Sequence, residues 1–354
     1  MPSSPDLTGG TRPRTPILGA FLEGWRRVLR APGLAAGIVA ATFLAALPMA
    51  LVMQGHLEQH LGTSLEADRA LAGWNANWAA EFGAQAQGME RTFTHEILGF
   101  GGTMAILSDV ADAQRPEASL AVAAAAYVGL WVFLSGGILD RLARGRPISV
   151  AAFFAACATY FIRFLRLGVV IGAAYWALFG WLHPYLFDTL YPRFIRDVMD
   201  EREAIVLRAM FYAIFFLALA AVSLVADFAK VRAVVEDRRS MLGALGASMR
   251  FIRRRPLRVA GLYLLNVIAF AVILRLWLQV APPAHAAPWL ALLIAQVYLL
   301  VRIWAKLAFM ASETVFFQGE LAHAQYTAAP EPVWPDSPAA EAIDNLVRAA
   351  RRDP

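Results

Sequence analysis

The 354-residue chain has 59% hydrophobic and only 17% charged side chains, with a mean hydropathy of +0.52 and a net charge of +5, outside the balance of a soluble domain. Its apolar residues fall in blocks of about 20, the length that crosses ~30 Å of hydrocarbon, which excludes an ordinary soluble fold. A pI near 9.6 would suit nucleic acid, but the basic residues stand beside the apolar blocks. That placement points to lipid head groups and leaves no nucleic-acid partner.

From the N-terminus, residues 1–15 are rich in Pro, Ser and Gly and show no apolar h-region, so no cleavable signal peptide is expected. Ile17, Leu18, Phe21, Leu22, Trp25, Val28 and Leu29 then recur at helical spacing, with Arg26, Arg27 and Arg30 near the end. This predicts an amphipathic helix at the membrane interface, with Trp25, Arg26 and Arg27 at head-group depth. Spans are predicted at 34–53, 119–139, 167–186, 209–228, 259–280 and 288–309. The expected architecture is all-α: a polytopic bundle of six transmembrane helices with amphipathic interfacial helices. Residues 1–33 form a tail and interfacial helix, 34–312 the bundle with an external segment at 54–118, and 313–354 a second tail. That tail carries a proline-rich linker and a short amphipathic helix at 339–352.

Orientation follows from where the basic residues fall. The second connection holds Arg141, Arg144, Arg146, Arg163 and Arg166 against Asp140, and the fourth holds Lys230, Arg232, Arg238, Arg239, Arg250, the cluster Arg253, Arg254, Arg255, and Arg258. The external segment has Arg69, Arg91 and Arg115 against nine acidic residues. Both termini are therefore expected in the cytoplasm of a bacterial inner membrane. Arg253, Arg254 and Arg255 are expected to meet anionic lipids of the inner leaflet at roughly 1 kcal/mol each. Basic residues are nearly all arginine; Lys230 and Lys306 are the exceptions, a bias read as codon usage.

A repeat is visible. WRRVLRAPGLAAGIVAA, FIRFLRLGVVIGAAYWA and FIRRRPLRVAGLYLLNV each put a basic amphipathic turn before an odd-numbered span. Ser149 and Ser240 both open helices after arginines and are expected as N-caps. Three hairpins, each with a surface helix, are expected, and in Ser240–Arg255 Met241, Leu245, Met249 and Ile252 share one apolar stripe of an amphipathic helix. Gly33 with Gly37, and Gly168 with Gly172, are spaced for close helix packing within one monomer.

The segment DFAKVRAVVEDRRSMLGALGASMRFIRRRP resembles the cytoplasmic connection of a loose group of multi-span bacterial inner-membrane proteins. The group includes the membrane domain attached to some glycerophosphodiester phosphodiesterases. Asp227, Glu236, Asp237, Ala244, Ser248 and Arg253 carry the likeness. The resemblance implies an all-helical inner-membrane bundle; this chain has no phosphodiesterase catalytic domain, so that activity does not follow.

Ionisable residues within spans are costly and face the bundle interior or snorkel to the interface. Asp227, Arg302 and Lys306, with Asn266 and Arg275, are the candidate binding residues, and helix rise permits an Asp227–Arg302 or Asp227–Lys306 contact. His56 and His60 have a spacing that can bind zinc, but HLEQH lacks the HExxH arrangement and a third ligand, so no metal is expected. Cys157 sits among apolar residues and reads as buried. No nucleotide loop, nucleophile elbow or carboxylate pair stands out, so no catalytic residue, enzyme activity or cofactor is expected. The leading expectation is a non-catalytic scaffold or accessory subunit with a membrane-protein partner. The alternative is a transporter or lipid-handling protein using the inner-side polar cluster. A polar cavity reaching the midplane from one side would favour the alternative, and a sealed core of satisfied pairs the scaffold.

Overall fold

A computed structural model describes residues 16–62, 66, 69, 75–93, 100–114, 118–196, 198–282 and 287–320. The expected helix at 339–352 and the linker before it lie outside the described residues. Among the described residues ten α-helices follow one another: α1 (Ile17–Leu29), α2 (Pro32–Leu61), α3 (Ala76–Gln85), α4 (Phe100–Ala111), α5 (Ala118–Arg144), α6 (Val150–Ile195), α7 (Glu201–Val235), α8 (Met241–Arg254), α9 (Pro256–Val280) and α10 (Pro288–Glu320). There is no strand among the described residues. Six of these helices, α2, α5, α6, α7, α9 and α10, are long and apolar enough to cross a membrane. The chain is a multi-pass membrane bundle.

Most spanning helices overrun the predicted blocks. At 35 residues, α7 is about 52 Å long by helix rise, well beyond ~30 Å of hydrocarbon, so its ends stand in the head groups or water. That matters most at the arginine-rich end, where the main core forms. Ala20 of α1, Leu139 of α5, Phe164 of α6, Phe228 of α7, Phe251 of α8 and Phe316 of α10 meet there. Outside hydrocarbon, burial of such a side chain contributes about 1.5–3 kcal/mol; within it, lipid competes for the same surface. Helix α2 shows the contrast, burying only Ile38 along its length.

Both expected serine caps form. The Ser149 Oγ accepts from the Ala152 N–H, and the Ser240 Oγ accepts from the Gly243 N–H, both at 3.2 Å. The hairpins nevertheless differ. Pro256 cannot continue a helix from Arg255, so α8 stops and α9 starts afresh with the proline in its first turn. Pro32 separates α1 from α2 in the same way. The matching stretch FIRFLRLG has no proline, so the expected surface helix and third span merge into α6. That helix passes through π-helical turns at Leu178–Leu182 and Tyr185–Leu190 before ending at Ile195.

Several expectations at the arginine-rich end need correction. Arg27 is not at the lipid interface: its guanidinium donates to the Leu142 carbonyl at 2.8 Å and to Gln318 Oε1 at 3.0 Å. Burial pulls its pKa below the ordinary arginine value, against the opposing pull of Glu23. Arg255 is likewise an internal tie, 2.6 Å from Glu320 Oε2, and Arg258 pairs with the other oxygen of that carboxylate. Trp25 turns inward, its ring 5.7 Å from that of Trp304. Arg26, Arg253 and Arg254 stay exposed. In α8 the buried stripe is Met241, Ala244, Ala247, Ser248 and Phe251, with Met249 exposed, because the small residues let the helix lie close to α7.

The paired glycines are not packing contacts either. A Cβ added at Gly33, Gly37, Gly168 or Gly172 would meet nothing within 4 Å. Close approach occurs elsewhere: a Cβ at Gly24 would lie 2.5 Å from the Ser312 backbone nitrogen, so α1 rests on α10 backbone to backbone. We therefore expect Gly24→Ala to lower stability by about 1–3 kcal/mol through overpacking. Gly37→Ala should leave it unchanged or raise it by up to about 1 kcal/mol, and thermal unfolding of both variants in detergent checks the contrast.

Candidate functional site

Above the arginine-rich core the helices part around a cavity of ≈ 820 Å³ walled by α5, α6, α7, α9 and α10 and by Trp25 of α1. Helix rise places Arg302 and Lys306 near the middle of the 33-residue α10. Its far end is Glu313, about 16 Å further along by rise. Most of the wall is apolar or aromatic, with Gly168 and Gly172 on α6 leaving room where a side chain would intrude.

The structure brings together four of the five candidate residues. Asp227, Asn266, Arg302 and Lys306 all line the cavity, whereas Arg275 is exposed on α9 towards its opposite end. The expected partners of Asp227 are also different. Its Oδ1 lies 2.5 Å from Nζ of Lys230, three residues on along the same helix, and a neighbour one turn away needs less ordering than a residue on another helix. Asn266 is fully engaged: its Nδ2 donates to the Leu262 carbonyl and to Ser312 Oγ, each at 3.0 Å, tying α9 to α10.

Lys306 and Arg302 are left over. The Lys306 amine stands 3.3 Å from the centroid of the Trp131 ring, with the Tyr127 ring at 5.9 Å, and the Arg302 guanidinium lies over Tyr298 at 5.6 Å. Among the described residues neither cation is ion-paired with a carboxylate. Aromatic faces attract cations, but less than an anion at the same place would. The indole N–H groups of Trp25 and Trp131, both on the cavity wall, are buried without an acceptor. On the donor side the site is under-satisfied.

Two participants escaped the sequence reading. Glu313 is 3% exposed with its Oε1 unpartnered, and it lies in electrostatic reach of Asp227 and Lys230. Lys230 is the other. A signal for the latter was present: the chain's two lysines both end in this cavity. A compact ammonium on a flexible stem fits a tight ion pair or an aromatic face where a planar guanidinium does not.

At the opposite end, α3 and α4 lie over the bundle. His56 pairs with Glu90, and His60 Nδ1 accepts from Trp78 Nε1 at 3.2 Å. The two histidines anchor the external segment, and among the described residues no group of three His, Cys, Asp or Glu could hold a metal. The end of α4 is held by His183, which donates to the Ala111 carbonyl at 2.8 Å, and by Tyr212, which donates to Asp112 at 2.6 Å. Cys157 is fully buried and its Sγ faces Leu134 O at 3.8 Å.

A hydrated cavity makes a direct prediction. Gly168→Cys should react with a water-soluble methanethiosulfonate in the intact, membrane-embedded protein, while the native Cys157 should not; mass spectrometry of the labelled chain distinguishes the two thiols. The chain matches no family model, no curated protein and no solved structure.

Proposed function

We propose that this protein binds an amphiphilic anion of small-molecule size in the central cavity and handles it at the inner face of a bacterial cytoplasmic membrane, as a transporter or lipid-handling protein. One observation carries this reading: two cations, Lys306 and Arg302, stand in a mostly apolar cavity and rest on aromatic rings, with no ion pair to a carboxylate among the described residues. The volume lies within the roughly 300–1,000 Å³ of small-molecule sites. Apolar walls suit a hydrocarbon or aromatic body, and the two cations with the free indole donors suit an acidic head. The arginine distribution supports cytoplasmic termini with anionic inner-leaflet lipids as neighbours. The likeness to the membrane domain of some glycerophosphodiester phosphodiesterases supports the same membrane and adds no catalytic step. No covalent chemistry is part of the proposal.

The scaffold or accessory-subunit reading is favoured by a different observation. The Asp227–Lys230 and Asn266–Ser312 pairs are closed, as in a core whose only task is to hold together. The unpaired cations weigh against it, because a purely structural core gains nothing by keeping them.

The test is binding of radiolabelled decanoate to the immobilised full-length protein. Lys306→Gln combined with Arg302→Gln should weaken binding about tenfold or more, the scale of charge-assisted hydrogen bonds. Arg275→Gln, outside the cavity, should leave it unchanged. Equal binding by wild type and the double variant, or displacement by neutral decanol as effective as by decanoate, would reject the proposal.

A further inference from the structure

A second site lies at the arginine-rich end, away from the central cavity. Arg141, near the end of α5, is 8% exposed. Its sequence neighbour Asp140 is already taken by Arg144, whose Nε lies 2.8 Å away. Among the described residues, no carboxylate, carbonyl or other side chain hydrogen-bonds or ion-pairs with the Arg141 guanidinium. A buried cation without an anion is a costly arrangement. Among the described residues the chain supplies no acceptor at this position.

Arg141 opens onto a groove of ≈ 530 Å³ between the start of α2, the second half of α5 and the turn leading into α6. Arg30 and Ser149 line the same groove, and the Arg30 side chain has no ion-pair partner among the described residues either. Ser149 caps α6 through the Ala152 N–H alone, so other first-turn N–H groups of that long helix lack an intrahelical acceptor, and a helix N-terminus favours negative charge. The remaining wall is apolar, with Ile38, Ala41, Leu130, Phe133 and Leu134. From Arg141 to Leu130 helix α5 rises about 16 Å, roughly the hydrocarbon depth of one leaflet. On the facing wall, Gly33 and Gly37 leave open space.

We propose that this groove is a specific site for one anionic phospholipid of the leaflet at the arginine-rich end. Its phosphate sits between Arg141 and Arg30, and one acyl chain runs along α5 towards Leu130. The charge complementarity is local: the unpaired cations gather at the end of the groove that lies at head-group depth, and the apolar wall begins where the acyl chains begin. Free phosphate would use the first feature and leave the second without a role.

Native mass spectrometry of the delipidated full chain, titrated in detergent with dioleoyl-phosphatidylglycerol, tests this. One lipid should be retained by wild type. Arg141→Gln should weaken retention at least about tenfold, as loss of a charge-assisted contact does. Gly37→Phe, at a position where an added Cβ meets nothing within 4 Å, puts its ring into the groove, should also abolish retention, and carries the test alone if Arg141→Gln does not fold. Arg253→Gln, on the exposed surface, should retain the lipid as wild type does. The proposal is overturned if both groove variants retain the lipid undiminished, if dioleoyl-phosphatidylcholine binds as tightly, or if millimolar inorganic phosphate displaces the lipid completely.

Discussion

Everything else in the bundle depends on the polar knot at its arginine-rich end. Gln318 accepts from Arg27 and donates to the Ala143 carbonyl at 3.1 Å, linking α1, α5 and α10. Two residues on, Glu320 gathers Arg255 and Arg258 from the start of α9. Arg163 of α6 holds Asp237 at the end of α7 at 2.6 Å. These ties are partly or fully buried, and breaking one partner of such a pair strands a charge. The aromatic layer of Phe228, Phe251, Phe316 and Phe317 fills the space between them. Five spanning helices and both surface helices are thereby fixed at one end.

Fixing one end leaves the other free to diverge. Lipid competes equally for apolar surface within hydrocarbon, so nothing forces the mid-membrane segments together, and the glycines of α6 widen the gap further. The result is a cavity directly above a rigid floor, with Asn266 and Ser312 as its hinge of fixed geometry and the Gly24 contact pressing α1 against the same point. Charged groups in that cavity follow a clear division. Asp227 and Lys230 neutralise each other on one helix, while Lys306 and Arg302 rest on aromatic rings that an incoming anion can outcompete. Glu313 lies within electrostatic reach of the Asp227–Lys230 pair at the floor of the cavity.

The spans, the serine caps and the arginine-rich end were legible in the sequence because each rests on local chemistry: a run of apolar residues, a hydroxyl before a helix, a proline after arginines. What failed depended on which face of a helix meets which neighbour. Arg27 looked like an interface residue because its partners, Leu142 and Gln318, lie far along the chain. The glycine pairs had the spacing of a contact, but spacing does not say whether a helix or a void lies opposite. Glu313 was missed because the sixth span was ended at Phe309, one turn short of it. Lys306 is legible as an ionisable residue within a span, whereas Lys230 reads as one more basic residue of the fourth connection, although the scarcity of lysine sets both apart.

In the proposed function the cavity holds an anionic molecule against Lys306 and Arg302. The most direct measurement is a high-resolution electron cryo-microscopy map of the protein extracted gently from its own membrane. Non-protein density is expected in the cavity, with its polar end within hydrogen-bond reach of one of those two cations. A collapsed cavity in which Lys306 or Arg302 pairs directly with Asp227 or Glu313 would contradict it.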